Sequence, residues 1–365
     1  MKIYYLSSSI IPSQLANSVN VMKMCEAFAE NGHEVTLFAR RGDWFSSKDV
    51  FLSYGVKKKF QIHRSWRPQN IFPKAVRIYI YLWQLKHKAQ SSDSLPDLLY
   101  GRDIDSFVAL QHLKIPMIFE EHGGPNTDNK LAKQEFIFRQ PYFSRLVVIT
   151  ESLRDKYMSL FPELLANKIT VAHSGADALS TEIAPVNNWP GRSDCLQVGY
   201  VGHLYPGKGM EIISQLASEL QGIDFHIVGG TNSDIAYWRQ QCPKKNLIFH
   251  GFVDHGKLDS YFNAFDVVLA PYTGDNHGTR SPLKITEYMA ARKAIISSDY
   301  PAFREILVDE KNCLLVSPKD SSQWVEALQR MESSPDLRAQ LATQAFEDFS
   351  SRYSWRKRAD TVLSS

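Results

Sequence analysis

Short apolar runs alternate along the chain with segments in which apolar residues recur at a helical period. Lys2–Ser8 is predicted to be a buried strand and Val19–Glu30 a helix. The apolar positions of this helix are Val21, Met24, Cys25 and Phe28. Asn31-Gly32 is typical of a helix end, and Glu34–Ala39 is predicted to be the next strand. The chain therefore opens with a βαβ unit.

The same alternation continues to about residue 172. Further strands are predicted at Asp97–Tyr100, Pro116–Glu120, Leu146–Ile149 and Lys168–Ala172. Ile104–Leu113 and Glu151–Phe161 have the pattern of helices between them. Strands that alternate with helices indicate a parallel sheet.

A polar stretch rich in Pro, Asn and Gly, Leu179–Asp194, interrupts the alternation and suits an interdomain linker. A second series of strands follows, at Leu196–Val201, Asp224–Val228, Leu247–Phe249, Asp266–Ala270, Ala294–Ser297 and Leu314–Val316. We therefore predict an α/β fold with two doubly wound parallel-sheet domains, residues 1–182 and 183–349. A helix over 350–365 is expected to pack back on the first domain.

Composition supports a folded chain with two cores. The 365 residues are 44% hydrophobic and 22% charged, with no biased tract. The four cysteines stand far apart, which disfavours disulfides and predicts no metal site. Neither an apolar signal region at the N-terminus nor a run of about 18 apolar residues is present, so we expect a cytoplasmic protein that does not span a membrane.

The glycine-rich loop GHLYPGKG, residues 202–209, follows a predicted strand and opens a helix. In this context Gly202, His203 and Gly207 offer backbone N–H groups, and Lys208 a cation, to a phosphate. The alternative is a purely structural turn. The loop lacks the hydroxyl residue of a Walker motif, which disfavours a nucleoside triphosphatase.

The start of the next notable helix carries cations where the helix dipole prefers anions. Ser281 is a natural N-cap and Pro282 a natural first residue, yet Arg280 and Lys284 flank them. A diphosphate could bind to this first turn, and Glu287 could accept hydrogen bonds from ribose hydroxyls. The alternative is that Lys284 and Glu287 belong to a solvated helix face.

Two further polar positions lie at predicted strand ends of the first domain. His122 follows Glu120-Glu121 at the carboxyl end of a strand, where α/β folds bind ligands, although a lone histidine is more often structural. Asn17 and Ser18, in the first βα turn, could bind a phosphate or an acceptor hydroxyl, or could simply cap a helix.

Residues 57–88 combine basic and aromatic side chains. Nine lysines and arginines and no acidic residue occur between Asp49 and Asp93. This pattern suits an interfacial helix on an anionic membrane, and its alternative is an ordinary helix with a solvated basic face. Nucleic-acid binding lacks any recognised motif and is not expected.

Several ordered segments carry a resemblance to one family. They are ANSVNVMKMCEAFAENGHEVTLFAR, IFEEHGG, SGAD, VGHLYPGKG, SPLKITEYMAA and FREILVDEKNCLLVSPKD. In this order they resemble the opening helix, E-x-H segment, domain end, phosphate loop, donor-binding helix and closing strand region of glycosyltransferase family four. The resemblance covers nearly the whole chain.

The resemblance implies a GT-B fold: two Rossmann-like domains facing across a cleft, with the acceptor on the N-terminal domain and the donor nucleotide on the C-terminal one. It implies retention of anomeric configuration and no required metal or other cofactor. Lys208 and Arg280 would stabilise the departing diphosphate. Ser281, Pro282, Leu283 and Lys284 would hold it, Glu287 would bind ribose, and His122 would contact the transferred sugar or the acceptor.

The chain also departs from the family pattern. His203 stands where many members have arginine. Many members also have two glutamates separated by seven residues, and Thr279 stands where the first of them would precede Glu287. Because of both departures, the family's rules for sugar specificity apply less directly to this chain. A UDP-sugar is expected as the donor in preference to a GDP-sugar. The two departures also support a further hypothesis, in which the chain is a non-catalytic binding partner with a transferase fold.

The expected activity is therefore that of a glycosyltransferase of the hexosyl-transferring type. Its acceptor would be a hydroxyl of a glycan or lipid-linked molecule in cell-surface polysaccharide or glycolipid synthesis, reached at the inner face of the membrane. A nucleotide-sugar epimerase of the same fold is the enzymatic alternative. A dinucleotide oxidoreductase is disfavoured because the first βα turn, IIPSQLANS, contains no G-x-G-x-x-G.

Overall fold

The computed structural model describes residues 1–13, 15–41, 49–65, 73–90, 95–180, 182–274 and 283–364. The chain divides into two compact units, Met1–His173 with Trp355–Ser365, and Ser174–Ser354. Each unit has its own parallel sheet and its own apolar core.

In its described residues, the first unit contains a seven-stranded sheet with the order β3-β2-β1-β4-β5-β6-β7. The strands are β1 (Lys2–Ile11), β2 (Glu34–Arg41), β3 (Gln61–Ser65), β4 (Leu98–Gly101), β5 (Met117–Glu121), β6 (Phe143–Val148) and β7 (Ile169–Val171). All neighbouring pairs are parallel. The strand order reverses between β1 and β4, where doubly wound folds form ligand crevices.

Helices lie between these strands because their apolar faces need a sheet to pack on. They are α1 (Ala16–Glu30), α2 (Val50–Ser53), α3 (Lys74–Gln90), α4 (Ile104–Leu110), α5 (Asp128–Phe138), α6 (Glu151–Leu160) and α7 (Pro162–Leu165), with a 3₁₀ turn at Gln111–Leu113. The helix α15 (Trp355–Leu363) returns from the end of the chain and packs against α1.

The described part of the second unit contains a six-stranded sheet with the order β10-β9-β8-β11-β12-β13. Its strands are β8 (Leu196–Val201), β9 (Ile223–Val228), β10 (Leu247–Gly251), β11 (Val267–Ala270), β12 (Ala294–Ser298) and β13 (Leu314–Val316). Its helices are α8 (Met210–Glu219), α9 (Asn232–Gln241), α10 (Leu258–Ala264), α11 (Leu283–Ala290), α12 (Pro301–Arg304), α13 (Ser321–Ser333) and α14 (Pro335–Arg352), with a 3₁₀ turn at His255–Lys257. The order reverses between β8 and β11, and the predicted pair of doubly wound parallel sheets is confirmed.

The basic stretch 57–88 differs from its prediction as one interfacial helix. Gln61–Ser65 forms β3, the edge strand of the first sheet, which pairs with β2 from Thr36↔Gln61 to Arg40↔Ser65. The expectation of a single helix is wrong because β2 offers an open edge to which this segment adds backbone hydrogen bonds. The helical part is α3.

The segment predicted to be a linker packs on the second sheet. The indole of Trp189 stacks on the imidazoles of His226 and His250, with ring centroids 4.2 Å and 5.1 Å away. Arg192 forms an ion pair with the buried Asp224, its Nη2 lying 2.7 Å from Oδ1. These contacts stabilise the segment as part of the second unit.

Among the described helices, none is long and apolar enough to cross a membrane.

Candidate active site

The loop between β8 and α8 occupies the carboxyl end of β8, beside the point where the strand order reverses. Gly202, Gly207 and Gly209 have φ values of 153°, 85° and 85°, a region that favours glycine. A Cβ on Gly209 would lie 1.7 Å from the carbonyl oxygen of Pro271. The glycines therefore allow the chain to turn sharply against the segment that contains Pro271, and to present backbone N–H groups there.

Lys284, near the beginning of the described part of α11, points its ammonium at this loop. Nζ lies 3.8 Å from the ring centroid of Tyr200, and a Cβ built on Gly202 would lie 2.9 Å from it. The residue is 8% exposed, and Nζ has no hydrogen-bond partner among the residues that the structure describes. A buried ammonium without a partner is costly, and a bound anion would offset that cost.

A second lysine approaches the same place. Nζ of Lys208 lies 4.8 Å from the ring centroid of Tyr272, and Nζ of Lys284 lies 4.9 Å from the same centroid. Burial, followed by repulsion from Lys208, holds the pKa of Lys284 well below its ordinary value. Two cations thus lie beside one tyrosine ring next to the glycine loop, an arrangement that a diphosphate would neutralise.

Glu287 lies one turn further along α11 and is partly exposed. Its Oε1 is 2.8 Å from Nε2 of His255, in the 3₁₀ turn after β10. This contact fixes the carboxylate at the mouth of the site. A carboxylate accepts several hydrogen bonds, so the predicted ribose contact and the His255 contact are compatible.

His203, which replaces the arginine of many family members, is partly buried beside the lysines. Its ring stacks on Tyr205 with centroids 5.4 Å apart. Burial and the charges of Lys208 and Lys284 lower its pKa. His203 is therefore a neutral group at neutral pH, and it does not supply the charge that an arginine would.

Part of the predicted donor site lies outside the described residues. Arg280, Ser281 and Pro282, together with Thr279, belong to 275–282. Leu283 is the first described residue of α11 and is partly buried. The described side of the site consequently consists of the glycine loop, the two lysines, His203 and Glu287.

In the first unit, β5 ends in a buried polar network around His122. Glu120 accepts hydrogen bonds from Nε2 of His122 and from the hydroxyl of Tyr100. Arg358 of α15 contacts the same carboxylate, with Nη2 3.0 Å from Oε1 and Nη1 3.3 Å from Oε2. The carboxylate that binds His122 is therefore itself held by Tyr100 and Arg358.

The charge state of this network follows from its burial. Burial alone would raise the pKa of Glu120, but Arg358 and then His122 outweigh it and hold that pKa well below its ordinary value. Burial, with the charge of Arg102, lowers the pKa of His122 to about 4. At neutral pH the imidazole is neutral and donates Nε2–H to Glu120, so Nδ1 remains a hydrogen-bond acceptor.

The neighbouring carboxylate, Glu121, ties the following loop in place. It accepts from the backbone N–H groups of His122 and Gly123 at 3.0 Å and 3.1 Å. Nζ of Lys130 lies 2.5 Å from its Oε2, and Gln134 donates to the same oxygen at 2.9 Å. The E-E-H-G-G segment is thus held rigidly enough to orient a ligand.

Asn17 and Ser18 lie in different environments. Ser18 is fully buried, and its hydroxyl lies 2.7 Å from the carbonyl oxygen of Leu15 and accepts a hydrogen bond from Tyr54 at 3.0 Å. These local contacts favour the structural alternative for Ser18. Asn17 is exposed in the first turn of α1 and is accessible to a ligand.

Sequence reasoning missed Tyr200, Tyr272, His255 and Arg358. Tyr200 lies in β8 and Tyr272 just after β11, and neither carries a local sign that a lysine packs on its ring. Arg358 meets Glu120 across 238 positions of sequence, which no spacing rule detects. The one available signal was Arg358 itself, a charged residue on the apolar side of the last helix, between Trp355 and Val362.

Comparisons with known proteins agree with this architecture. Residues 18–178 match the family model described as Glycosyltransferase Family 4, and residues 196–334 match Glycosyl transferases group 1. The phosphatidyl-myo-inositol mannosyltransferase of Mycolicibacterium smegmatis is 25% identical over 350 residues, covering 92% of this chain and 86% of that protein.

Solved structures share the fold. Sucrose-phosphate synthase from Thermosynechococcus elongatus has a TM-score of 0.74 at 17% identity, over 98% of this chain and 96% of its own. Anabaena HepE in complex with UDP and glucose has a TM-score of 0.72 at 15% identity, over 99% and 98%. Together with the family matches, the two parallel sheets define a glycosyltransferase of the GT-B fold. The chain belongs to glycosyltransferase family four.

Proposed function

We propose that the enzyme transfers a sugar from a nucleoside-diphosphate sugar to a hydroxyl group, with retention of anomeric configuration. The bond between the anomeric carbon and the β-phosphate oxygen breaks, a bond from that carbon to the acceptor oxygen forms, and the hydroxyl proton leaves with the diphosphate. The observation that carries the proposal is the buried ammonium of Lys284 beside the glycine loop, which has no hydrogen-bond partner in the described part of the chain.

The charges of the second unit suit the departing diphosphate. Negative charge accumulates on the β-phosphate oxygens as the glycosidic bond breaks, and preorganised cations stabilise it without a metal. We assign this role to Lys208, Lys284 and Arg280, with the backbone of residues 281–284 beneath the diphosphate. Glu287, fixed by His255, is assigned to the ribose hydroxyls.

We assign the acceptor to the first domain, residues 1–182 with the returning helix 350–365, and the donor to 183–349. His122 is the residue of the first domain that we place at the reacting sugar. Its neutral imidazole accepts a hydrogen bond at Nδ1, which orients a hydroxyl without adding charge.

A nucleotide panel tests this proposal. The relative HepE was solved with UDP and glucose, which supports UDP over GDP as the donor nucleotide. We expect UDP to stabilise the protein by about 2.7 kcal/mol at 100-fold excess over its Kd, and GDP, ADP, CMP and dTDP less. The product's anomeric proton, measured by NMR, should show the configuration of the donor.

The control is the donor sugar without acceptor. A transferase hydrolyses it slowly at most, whereas an epimerase converts it to another sugar. Stabilisation by none of the nucleotides, or an inverted product, would contradict the proposal.

We further propose that the enzyme works at the anionic inner face of a membrane on a lipid-linked acceptor in polysaccharide or glycolipid synthesis. On α3, Val76, Tyr79 and Trp83 are 39%, 71% and 58% exposed. Their spacing places them on one helix face, and Lys86 and His87 extend it with polar groups. Exposed aromatic and basic groups on one helix are typical of interfacial binding. The mannosyltransferase relative is named for a lipid acceptor.

Vesicle binding tests this surface. Replacing both Tyr79 and Trp83 with serine should weaken binding to phosphatidylglycerol vesicles by about tenfold or more, because two aromatic side chains no longer enter the interface. Tyr237, 54% exposed on α9, is a matched control, and Tyr237→Ser should bind as the wild type does. Equal binding of all three proteins in a flotation assay would rule out α3 as the membrane surface.

A further inference from the structure

A cavity lies in the first unit, on the side of the sheet where β3 and β2 stand. It has a volume of about 490 Å³ and is bounded by the edge strand β3, the end of β2 and helix α3. Pockets of this size accommodate small organic ligands rather than a single ion. No residue predicted from the sequence to bind the donor lines it.

The lining of this cavity carries positive charge. Arg41 is the last residue of β2, His63 and Arg64 belong to β3, and Lys88 lies near the end of α3. Among the described residues that line the cavity, none is acidic. Ser65 and Gln84 add a hydroxyl and an amide, while Phe38 and Leu85 form an apolar floor.

The charge of Lys88 also reaches His63 in the cavity lining. Burial, followed by the charge of Lys88, lowers its pKa below the ordinary value. A concave surface lined by like charges concentrates counter-ions, because the low-dielectric walls reduce screening. The cavity therefore attracts anions, and its polar groups provide the donors that a phosphate oxygen accepts.

The stereochemistry favours a phosphate ester over a carboxylate. Arginine side chains at two neighbouring strand ends can each present a planar fork, and a lysine adds a third cation from the helix. A phosphate monoester carries up to two negative charges on three terminal oxygens, so it matches three cations in charge better than a singly charged carboxylate does. The apolar floor and the volume leave room for the organic group that carries the phosphate.

We propose that this cavity binds a phosphate group of the acceptor, so that the acceptor is a phosphate ester whose free hydroxyl receives the sugar. The inference rests on the proposed function, since it places the acceptor on the first unit. Arg64 and Lys88 are its main contacts, with Arg41 and Ser65 completing the phosphate shell. The same chemistry applies to a soluble phosphate ester and to a lipid headgroup.

Glycerol 3-phosphate is the probe for a direct test by calorimetry. The protein is first saturated with UDP, so that the lysines of the second unit do not bind the probe. Arg64→Gln and Lys88→Gln should each weaken probe binding by about tenfold, equivalent to ~1.4 kcal/mol. Lys86→Gln is the matched control, because Lys86 is an exposed lysine of the same helix that does not line the cavity.

The source of the phosphate is distinguished with vesicles. If the acceptor is a lipid, glycerol 3-phosphate should displace the protein from phosphatidylglycerol vesicles, and Arg64→Gln should reduce that binding. If the acceptor is soluble, the probe binds in the cavity without affecting vesicle binding. Both results support a phosphate subsite.

Equal probe affinities for Lys88→Gln and Lys86→Gln, or no probe binding by the wild type, would overturn the inference. UDP stabilisation is measured on every variant and should be unchanged by Arg64→Gln and Lys88→Gln. A wild type that binds the probe but not UDP would refute the proposed function and leave the cavity supported. The two proposals therefore fail separately.

Discussion

Replacing Lys284 with methionine should remove most of the stabilisation of the protein by UDP while leaving the unbound protein at least as stable as the wild type. The ammonium is buried and has no hydrogen-bond partner among the described residues, so its desolvation costs several kcal/mol. Its cation–π contact with the Tyr200 ring offsets about 2 kcal/mol of that cost. Methionine has a similar length and fills the same space without that cost.

The loss of affinity in Lys284→Met should be large. Each hydrogen bond to a charged group contributes about 1.5–3 kcal/mol, so losing one or two of them weakens UDP binding by roughly 100-fold. Calorimetry measures the affinity, and denaturant unfolding measures the stability. Lys245→Met, which alters an exposed lysine of the same unit, should change neither. Wild-type affinity in Lys284→Met, or a marked loss of stability without ligand, would contradict the assignment.

The lowered pKa of Lys284 adds a dependence on pH. The unfolded chain keeps this lysine protonated up to its ordinary pKa, whereas the unbound fold releases the proton earlier. The unbound protein should therefore gain stability as pH rises through the lowered pKa, because the unfolded state binds more protons there. UDP restores the charged form, so its binding should take up a proton in that pH range. Calorimetry in buffers of different ionisation enthalpy detects this uptake, which Lys284→Met should lack.

Replacing Arg358 with methionine should destabilise the first unit by about 3–5 kcal/mol, because it leaves the carboxylate of Glu120 buried without its main counter-charge. The side chains of the pair are 2% and 0% exposed. Nε of Arg358 also donates to the carbonyl oxygen of His173 at 2.9 Å, a bond that the variant loses. The measurement is the free energy of unfolding from denaturant titration.

The pH profile identifies the cause of this loss. In the wild type the lowered pKa of Glu120 contributes stability above the pKa of the unfolded chain, and this contribution disappears as pH falls through the folded value. Without Arg358, burial raises the pKa of Glu120, so the deficit of the variant should be greatest at neutral pH and shrink as the carboxyl is protonated. Glu120→Gln in the same chain should recover part of the loss, since the uncompensated charge is gone.

Arg356→Met serves as the control for Arg358→Met. Arg356 lies on the same helix, is exposed and bonds to Asn31, so its loss should cost less than about 1 kcal/mol. Equal costs for the two substitutions would show that Glu120 does not depend on Arg358.

The predictable features of this chain are those that local patterns encode. Leu196–Val201 and Leu314–Val316 were predicted with the bounds that the structure has, because short apolar runs next to turn residues have few alternatives. Gln61–Ser65 was not predicted as a strand. Its mixed polar pattern becomes a strand only because the edge of β2 is available, and edge strands need less apolar character than central ones.

The candidate site also has a part that local sequence patterns predict and a part that they do not. The glycine loop and the position of Lys208 followed from their place between a strand and a helix, and Glu287 followed from its place on α11. The environment of those groups did not follow. That Lys284 is buried on Tyr200, and that His255 pairs with Glu287 across 32 positions, depends on which strands lie side by side.

The sequence by itself determined the two alternating α/β series, the positions of the loops at the strand ends and the types of charge they carry, because periodicity and turn chemistry act over a few residues. Tertiary structure alone decided which charges are paired. Glu120 forms an ion pair with Arg358 from the far end of the chain, while the ammonium of Lys284 packs on two aromatic rings. Desolvation and pairing depend on neighbours that folding brings together, and for that reason only the tertiary structure decides which charged group stabilises the fold and which one costs it stability.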